Sequence, residues 1–166
     1  MNELLDQAAA IADLLKARRQ TIAVAESSSG GLISAALLSV PGASAYYLGG
    51  GVIYTARAQR LLMDIPREIL EGMRSSSEPY ARVLAQTVRQ RFRVDWGLSE
   101  TGAAGPDGNR YGDAAGHTCV AVDGPSSAVV TIETGRGDRV ENMRAFASAA
   151  LTLLHQRLLD TQDGAR

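Results

Sequence analysis

Apolar residues Leu4, Leu5, Ala8, Ile11, Ala12 and Leu15 recur at three- and four-residue spacing, which predicts an amphipathic helix over residues 3–19. The short apolar run "TIAVAE" follows and reads as a buried strand. "SSSGG" separates it from a helical stretch, Leu32 to Val40, that Pro41-Gly42 stops. "YYLGGGVIYT" reads as a second strand with a glycine-rich start, and "ARAQRLLM" and "REILEGM" as short helices divided at Pro66. In "SSSEPYARVLAQTVRQRF", Ser77 is a cap, Glu78 and Pro79 fill the first turn, and Ala81, Val83, Leu84 and Val88 form an apolar face: a helix. "WGLSETG" is a third strand, and the loop "AAGPDGNRYGDAAG" after it carries a Pro-Asp-Gly turn signal. "HTCVAVDG" and "AVVTIETG" form an expected hairpin around "DGPSS". The long helix "DRVENMRAFASAALTLLHQRLLD" closes the chain, and the tail "TQDGAR" is expected to fray.

The two late strands are consecutive and need antiparallel pairing, whereas the earlier ones alternate with helices. The expected fold is α/β, a three-layer α/β/α sandwich with a mixed parallel and antiparallel sheet. At 166 residues, with no internal repeat and no linker, the chain is expected to form one domain, 1–166, with its core over about 3–160.

Composition narrows the function. Hydrophobic residues are 45% and charged residues 21%, ordinary globular usage that excludes wholesale disorder and a membrane protein. The net charge is -1, and the arginines of "KARRQ" and "RQRFR" have acidic neighbours, so no nucleic-acid partner is expected. No segment approaches the ~20 apolar residues of a bilayer span, and the N-terminus is acidic, which predicts a cytoplasmic protein without a membrane partner. The lone Cys119, in an apolar alternating run, reads as core filler. With only His117 and His155 beside it, no metal site is expected, and no cofactor is implied.

Two loops carry candidate chemistry. "SSSGG" combines hydroxyls with backbone N–H groups at a helix start, and two readings stay open: a helix cap with a tight turn, or a loop for an anion or a developing oxyanion. It matches neither the Walker loop nor the dinucleotide fingerprint. "GAAGPDGN" is a second glycine-rich loop directly after a strand, and two such loops can face one sheet edge, where ligands bind.

"AESSSGGLISAALLSVPGAS", "GGGVIYT", "SSSEP", "TGAAGPDG", "AAGH" before a strand and "GDR" opening the last helix stand in the order and spacing of a known family. Over residues from about 3 to 160 the chain resembles the CinA C-terminal domain family, which includes the nicotinamide mononucleotide deamidases. The resemblance implies amide hydrolysis, nicotinamide mononucleotide giving nicotinic acid mononucleotide and ammonia. It implies Ser27 as nucleophile and Tyr54 as its companion in the catalytic site. Glu26, Ser28, Ser29, Gly30 and Gly31 of the first turn, and Thr101, Gly102, Gly105, Pro106, Asp107 and Gly108 of the second loop, are implied to bind the nucleotide, with Gly116 and Arg139. A homo-oligomer is also implied. The Ala8–Ile11 patch of the first helix would pack on a second subunit or, equally, cover the chain's own sheet.

The sequence departs from the family at the base. Gln59 stands where the family's Y-S-N-E-A-K stretch ends in lysine, and an amide does not take a serine proton. Arg57 and Arg60 stay protonated, and Lys16, the only lysine, is distant in sequence. Tyr54, Glu26 and His117 are the other acceptors. "ESSSGG" replaces the common E-S-C-T-G-G, and Met143 takes the place of a family arginine, with Arg144 one position on. Three readings stay open: an amidohydrolase with an unusual base, a non-catalytic nucleotide-binding module, and a related amidase with another base and substrate.

Overall fold

The computed structural model describes residues 2–163. Helix α1 is Asn2–Arg18 and ends as Arg19 turns left-handed, its N–H reaching the Lys16 carbonyl. Strand β1, Ile22–Glu26, is buried throughout, and helix α2, Leu32–Leu38, follows the serine and glycine turn. Strand β2 is Tyr47–Val52. A single turn, α3 at Ala56–Ala58, widens into a π-helical turn over Gln59–Met63, and α4, Arg67–Leu70, is equally short.

Helix α5, Glu78–Phe92, starts as its sequence predicts, the Ser77 hydroxyl accepting from the Tyr80 N–H. Strand β3, Trp96–Ala103, leads through the 104–116 loop to the hairpin of β4, His117–Asp123, and β5, Ala128–Glu133. Helix α6, Arg139–Asp163, runs three residues into the tail expected to fray, and 164–166 lie outside the described residues.

The sheet order is β2-β1-β3-β4-β5. β2, β1 and β3 are parallel, and β4 and β5 pair antiparallel, which is the mixed sheet the strand spacing predicts. Ile22 and Val24 of β1, Trp96 and Leu98 of β3 and Val120 and Val122 of β4 form one core with α1, α2 and α6. The alternate positions face α5 and are small: Ala23 and Ala25 pack with Leu84 and Val88, and Cys119 and Ala121 with Ala81 and Ala85. Small residues let α5 lie close on the sheet. At Gly97 a Cβ would run into the Ala85 carbonyl oxygen, far inside van der Waals contact.

Cys119 is core, as expected, and burial pushes its thiol pKa up. In the α1 patch Ala8 and Ile11 are buried in the core that α1 shares with α6, whereas Ala9 is exposed and Ala10 half-buried. Because three parallel strands point the same way, the chain segments that follow β1, β2 and β3 emerge at one carboxyl edge, where ligands of open α/β sheets bind.

Candidate functional site

Two buried carboxylates shape that edge. Glu26 ends β1 and Glu100 lies in the neighbouring β3, both without solvent exposure. Glu26 accepts from the N–H groups of Gly31 (3.0 Å), Ile33 (3.1 Å) and Ser34 (3.0 Å) and from the hydroxyls of Ser29 (2.8 Å) and Ser34 (2.6 Å). Glu100 accepts from the N–H groups of Ser27 (3.1 Å) and Ser29 (2.8 Å) and from the hydroxyls of Ser28 (2.5 Å) and Thr118 (2.8 Å). Between them they hold the turn that carries Ser27.

This arrangement corrects the capping expectation. The N-cap of α2 is Gly31 in a left-handed conformation, with no capping side chain of its own, and the helix-start donors go to Glu26 instead of a serine. Those N–H groups are therefore not open to an anion. Ser28 and Ser29 turn inward, and Gly30 is exposed, although a Cβ on it would meet the methyl of Met143 from α6. Ser27, the expected nucleophile, lines a cleft, whereas the turn's expected ligand residues Glu26, Ser28, Ser29, Gly30 and Gly31 stand outside its lining.

The cleft has a volume of about 530 Å³, within the range of small-molecule sites. Ser27, Tyr54, Gln59, Thr101 and Gly102 line it, as the sequence predicts, together with Ser76, Tyr80, Asn109, Arg110 and Tyr111. Thr101 points its hydroxyl at the N–H of Ser76, 3.2 Å away. Gly105, Pro106, Asp107 and Gly108 stand in the loop beside the cleft, outside its lining. Arg139, the first residue of α6, donates to the Gly105 carbonyl (2.5 Å) and the Tyr54 hydroxyl (2.9 Å), tying that loop to the phenol. Gly116 opens the approach to β4, its N–H on the Ala103 carbonyl at 2.8 Å. Arg144 pairs with Glu141 on the surface of α6.

The alternative bases go elsewhere. Lys16 donates to the Pro41 carbonyl at 2.9 Å, and Glu26 is spent on the turn. His117 lies behind the cleft wall, one ring nitrogen on the Ser76 carbonyl at 2.8 Å and the other on the Glu133 carboxylate. Both partners are acceptors, an arrangement that favours the protonated ring. Burial opposes that charge, but the Glu133 and Ser76 hydrogen bonds and the Asp113 carboxylate outweigh it and raise the His117 pKa. Among the described residues lining the cleft there is no lysine, histidine or carboxylate.

The sequence reading missed Glu100, Tyr111 and Arg110. Glu100 had a signal, the one charged residue inside a strand of apolar, glycine and hydroxyl residues. Tyr111 accepts from Ser75 and Arg110, and these hydrogen bonds push its pKa down, more than burial raises it. Arg74 pairs with Asp113, which in turn takes the Asn109 side chain and bends the loop. Among the described residues no group of three or more His, Cys, Asp and Glu side chains could hold a metal ion, and no helix is long and apolar enough to cross a membrane.

Fold and cleft together define the class: a three-layer α/β/α domain with a carboxylate-anchored serine turn at the carboxyl edge of a mixed sheet and a cleft of about 530 Å³ beside it. The family model of the CinA C-terminal domain matches residues 5–158. A CinA-like protein of Parasynechococcus marenigrum (strain WH8102) is 37% identical over 92% of this chain and 37% of its own, and one of Anaeromyxobacter sp. (strain K) is 38% identical over 87% and 35%. The chain spans about a third of the length of these relatives. Among solved structures, a competence-damaged protein (CinA) superfamily protein of Klebsiella pneumoniae 700603 matches with a TM-score of 0.88 at 23% identity, covering 95% of this chain and 98% of that one. The competence/damage inducible protein CihA of Agrobacterium tumefaciens matches at 0.84 and 27%, covering 93% and 95%. The chain belongs to the CinA C-terminal domain family.

Proposed function

We propose that the cleft binds a nucleotide of the nicotinamide mononucleotide type and that Ser27 attacks its carboxamide. The Ser27 Oγ bonds to the carbonyl carbon as its proton passes to an acceptor, the C–N bond breaks as ammonia leaves with a proton, and water releases the carboxylate. What carries the reading is the convergence of Ser27, Tyr54, Thr101 and Gly102, from separate stretches of chain, on one cleft lined also by Arg110. Arg110 donates to the Tyr111 hydroxyl and joins no ion pair among the described residues, which leaves its charge for a phosphate. The rings of Tyr54, Tyr80 and Tyr111 suit a cationic pyridinium. The proton acceptors available in the cleft are phenols, and its hydrogen bonds bias Tyr111 toward giving up its proton.

A second reading, a nucleotide-binding module without turnover, is favoured by one observation: an amide, Gln59, occupies the cleft where the family's lysine would stand. Ammonia release from nicotinamide mononucleotide separates the two, measured for the parent, Ser27→Ala and Gln59→Lys beside calorimetric binding. Release that disappears in Ser27→Ala supports hydrolysis. Binding with no release, and release gained in Gln59→Lys, supports the binding module. No binding by any of the three overturns both.

A further inference from the structure

Gln59 is the buried polar side chain that the cleft leaves without a partner. It is 5% exposed, its Nε2 is shut off from water, and the side chain makes no hydrogen bond among the described residues. Its backbone is fixed at both ends of the π-helical turn, the N–H on the Thr55 carbonyl at 2.9 Å and the carbonyl taking the Asp64 N–H at 3.2 Å. A buried donor with no acceptor costs free energy that a ligand carrying the acceptor recovers on binding. Gln59 lines the same cleft as Ser27, so that ligand is the one Ser27 meets.

We propose that Gln59 recognises the carboxamide of this ligand by pairing amide to amide, its side-chain amide turning out of the sealed position so that Nε2 donates to the ligand's carbonyl oxygen and Oε1 accepts from its NH2. The cleft then selects an amide nucleotide over the corresponding acid. This rests on the nucleotide reading above and adds to it the side chain that chooses between substrate and product. A carboxylate offers no N–H to Oε1 and sets a negative oxygen against it, so one half of the pairing becomes a repulsion. A lysine at the same position carries three donors, no acceptor and a positive charge, and favours the acid.

The test is calorimetric titration in a Ser27→Ala background, which prevents turnover, with nicotinamide mononucleotide and with nicotinic acid mononucleotide. Position 59 is varied as Gln, Met, Glu and Lys, and the unfolding midpoint is measured for each protein. With Gln59 the amide is expected to bind roughly tenfold or more tighter than the acid, the scale on which a polar site rejects a ligand that leaves its groups unpaired. Gln59→Met keeps the length without polar atoms and brings the two affinities together. Gln59→Lys turns the preference to the acid, and Gln59→Glu, the second variant should Met not fold, weakens the acid most. Equal affinities with Gln59, or a preference that survives in Gln59→Met, overturns the proposal and leaves the nucleotide reading standing. Failure of both nucleotides to bind with Gln59 in place overturns the two together.

Discussion

In the turn that carries Ser27, two carboxylates meet nine donors; at Gln59, lining the same cleft, a buried amide N–H meets no acceptor among the described residues. The first arrangement is what a scaffold needs. With the N–H groups of Ser27, Ser29, Gly31, Ile33 and Ser34 all engaged, the backbone under the serine has one geometry. The second arrangement makes sense as recognition, because an unpaired group gains most when a ligand supplies its partner. Stability and specificity are thus drawn from different residues of one sheet edge.

The largest effect is expected where the saturated side is cut. Glu100→Ala leaves the N–H groups of Ser27 and Ser29 and the hydroxyls of Ser28 and Thr118 without their acceptor, and should lower the unfolding free energy by about 3–5 kcal/mol in a denaturant titration. A loss below about 1 kcal/mol would mean that water replaces the carboxylate, and the contrast with Gln59 would fail. A smaller cut is Ser29→Ala, which removes one of five donors to Glu26 and should cost about 1.5–3 kcal/mol, the range for a hydrogen bond to a charged group.

Between the two extremes stands His117, whose pairing depends on pH. Its folded pKa is raised, so its contribution to stability is complete below the ordinary histidine value and is lost as pH rises through the folded one. Glu133, Asp113, the Ser76 carbonyl and Cys119 face the ring, and Arg74 reaches it through Asp113. The parent should therefore unfold more easily on going from mildly acid to alkaline buffer, with a slope that His117→Gln removes. An unchanged slope in His117→Gln assigns the dependence to another group.

The elements and the cleft were legible to different degrees. Periodicity and caps are local, so α1, α5, α6 and the β4–β5 hairpin fall where Leu4 to Leu15, Ser77 and the "DGPSS" turn predict. The cap of α2 was not legible, because Glu26 stands before the turn and reaches over it, while Glu100 comes from a strand more than seventy positions away. The motifs brought Ser27, Tyr54, Thr101 and Gly102 to one cleft, and the glycines of the second loop beside it. They were silent on direction: Ser28 and Ser29 look like ligand hydroxyls in sequence and are spent inside, and Arg139 holds the loop to Tyr54. The isolation of the Gln59 amide depends on what surrounds it in space, and no spacing along the chain reports that.

The smallest expected change has the opposite sign. Gln59→Met replaces an unpaired buried amide with an apolar side chain of similar length, which removes a desolvation cost and creates no cavity. The ligand-free protein should gain on the order of 1 kcal/mol of unfolding free energy, measured against the parent in the same titration as Glu100→Ala. Nucleotide affinity should fall in the same variant. A gain in stability coupled to a loss in binding is the signature of a group kept unsatisfied for its ligand. A loss in both would mean that the amide already has a partner in the free protein, and the two sides of the cleft would then be built alike.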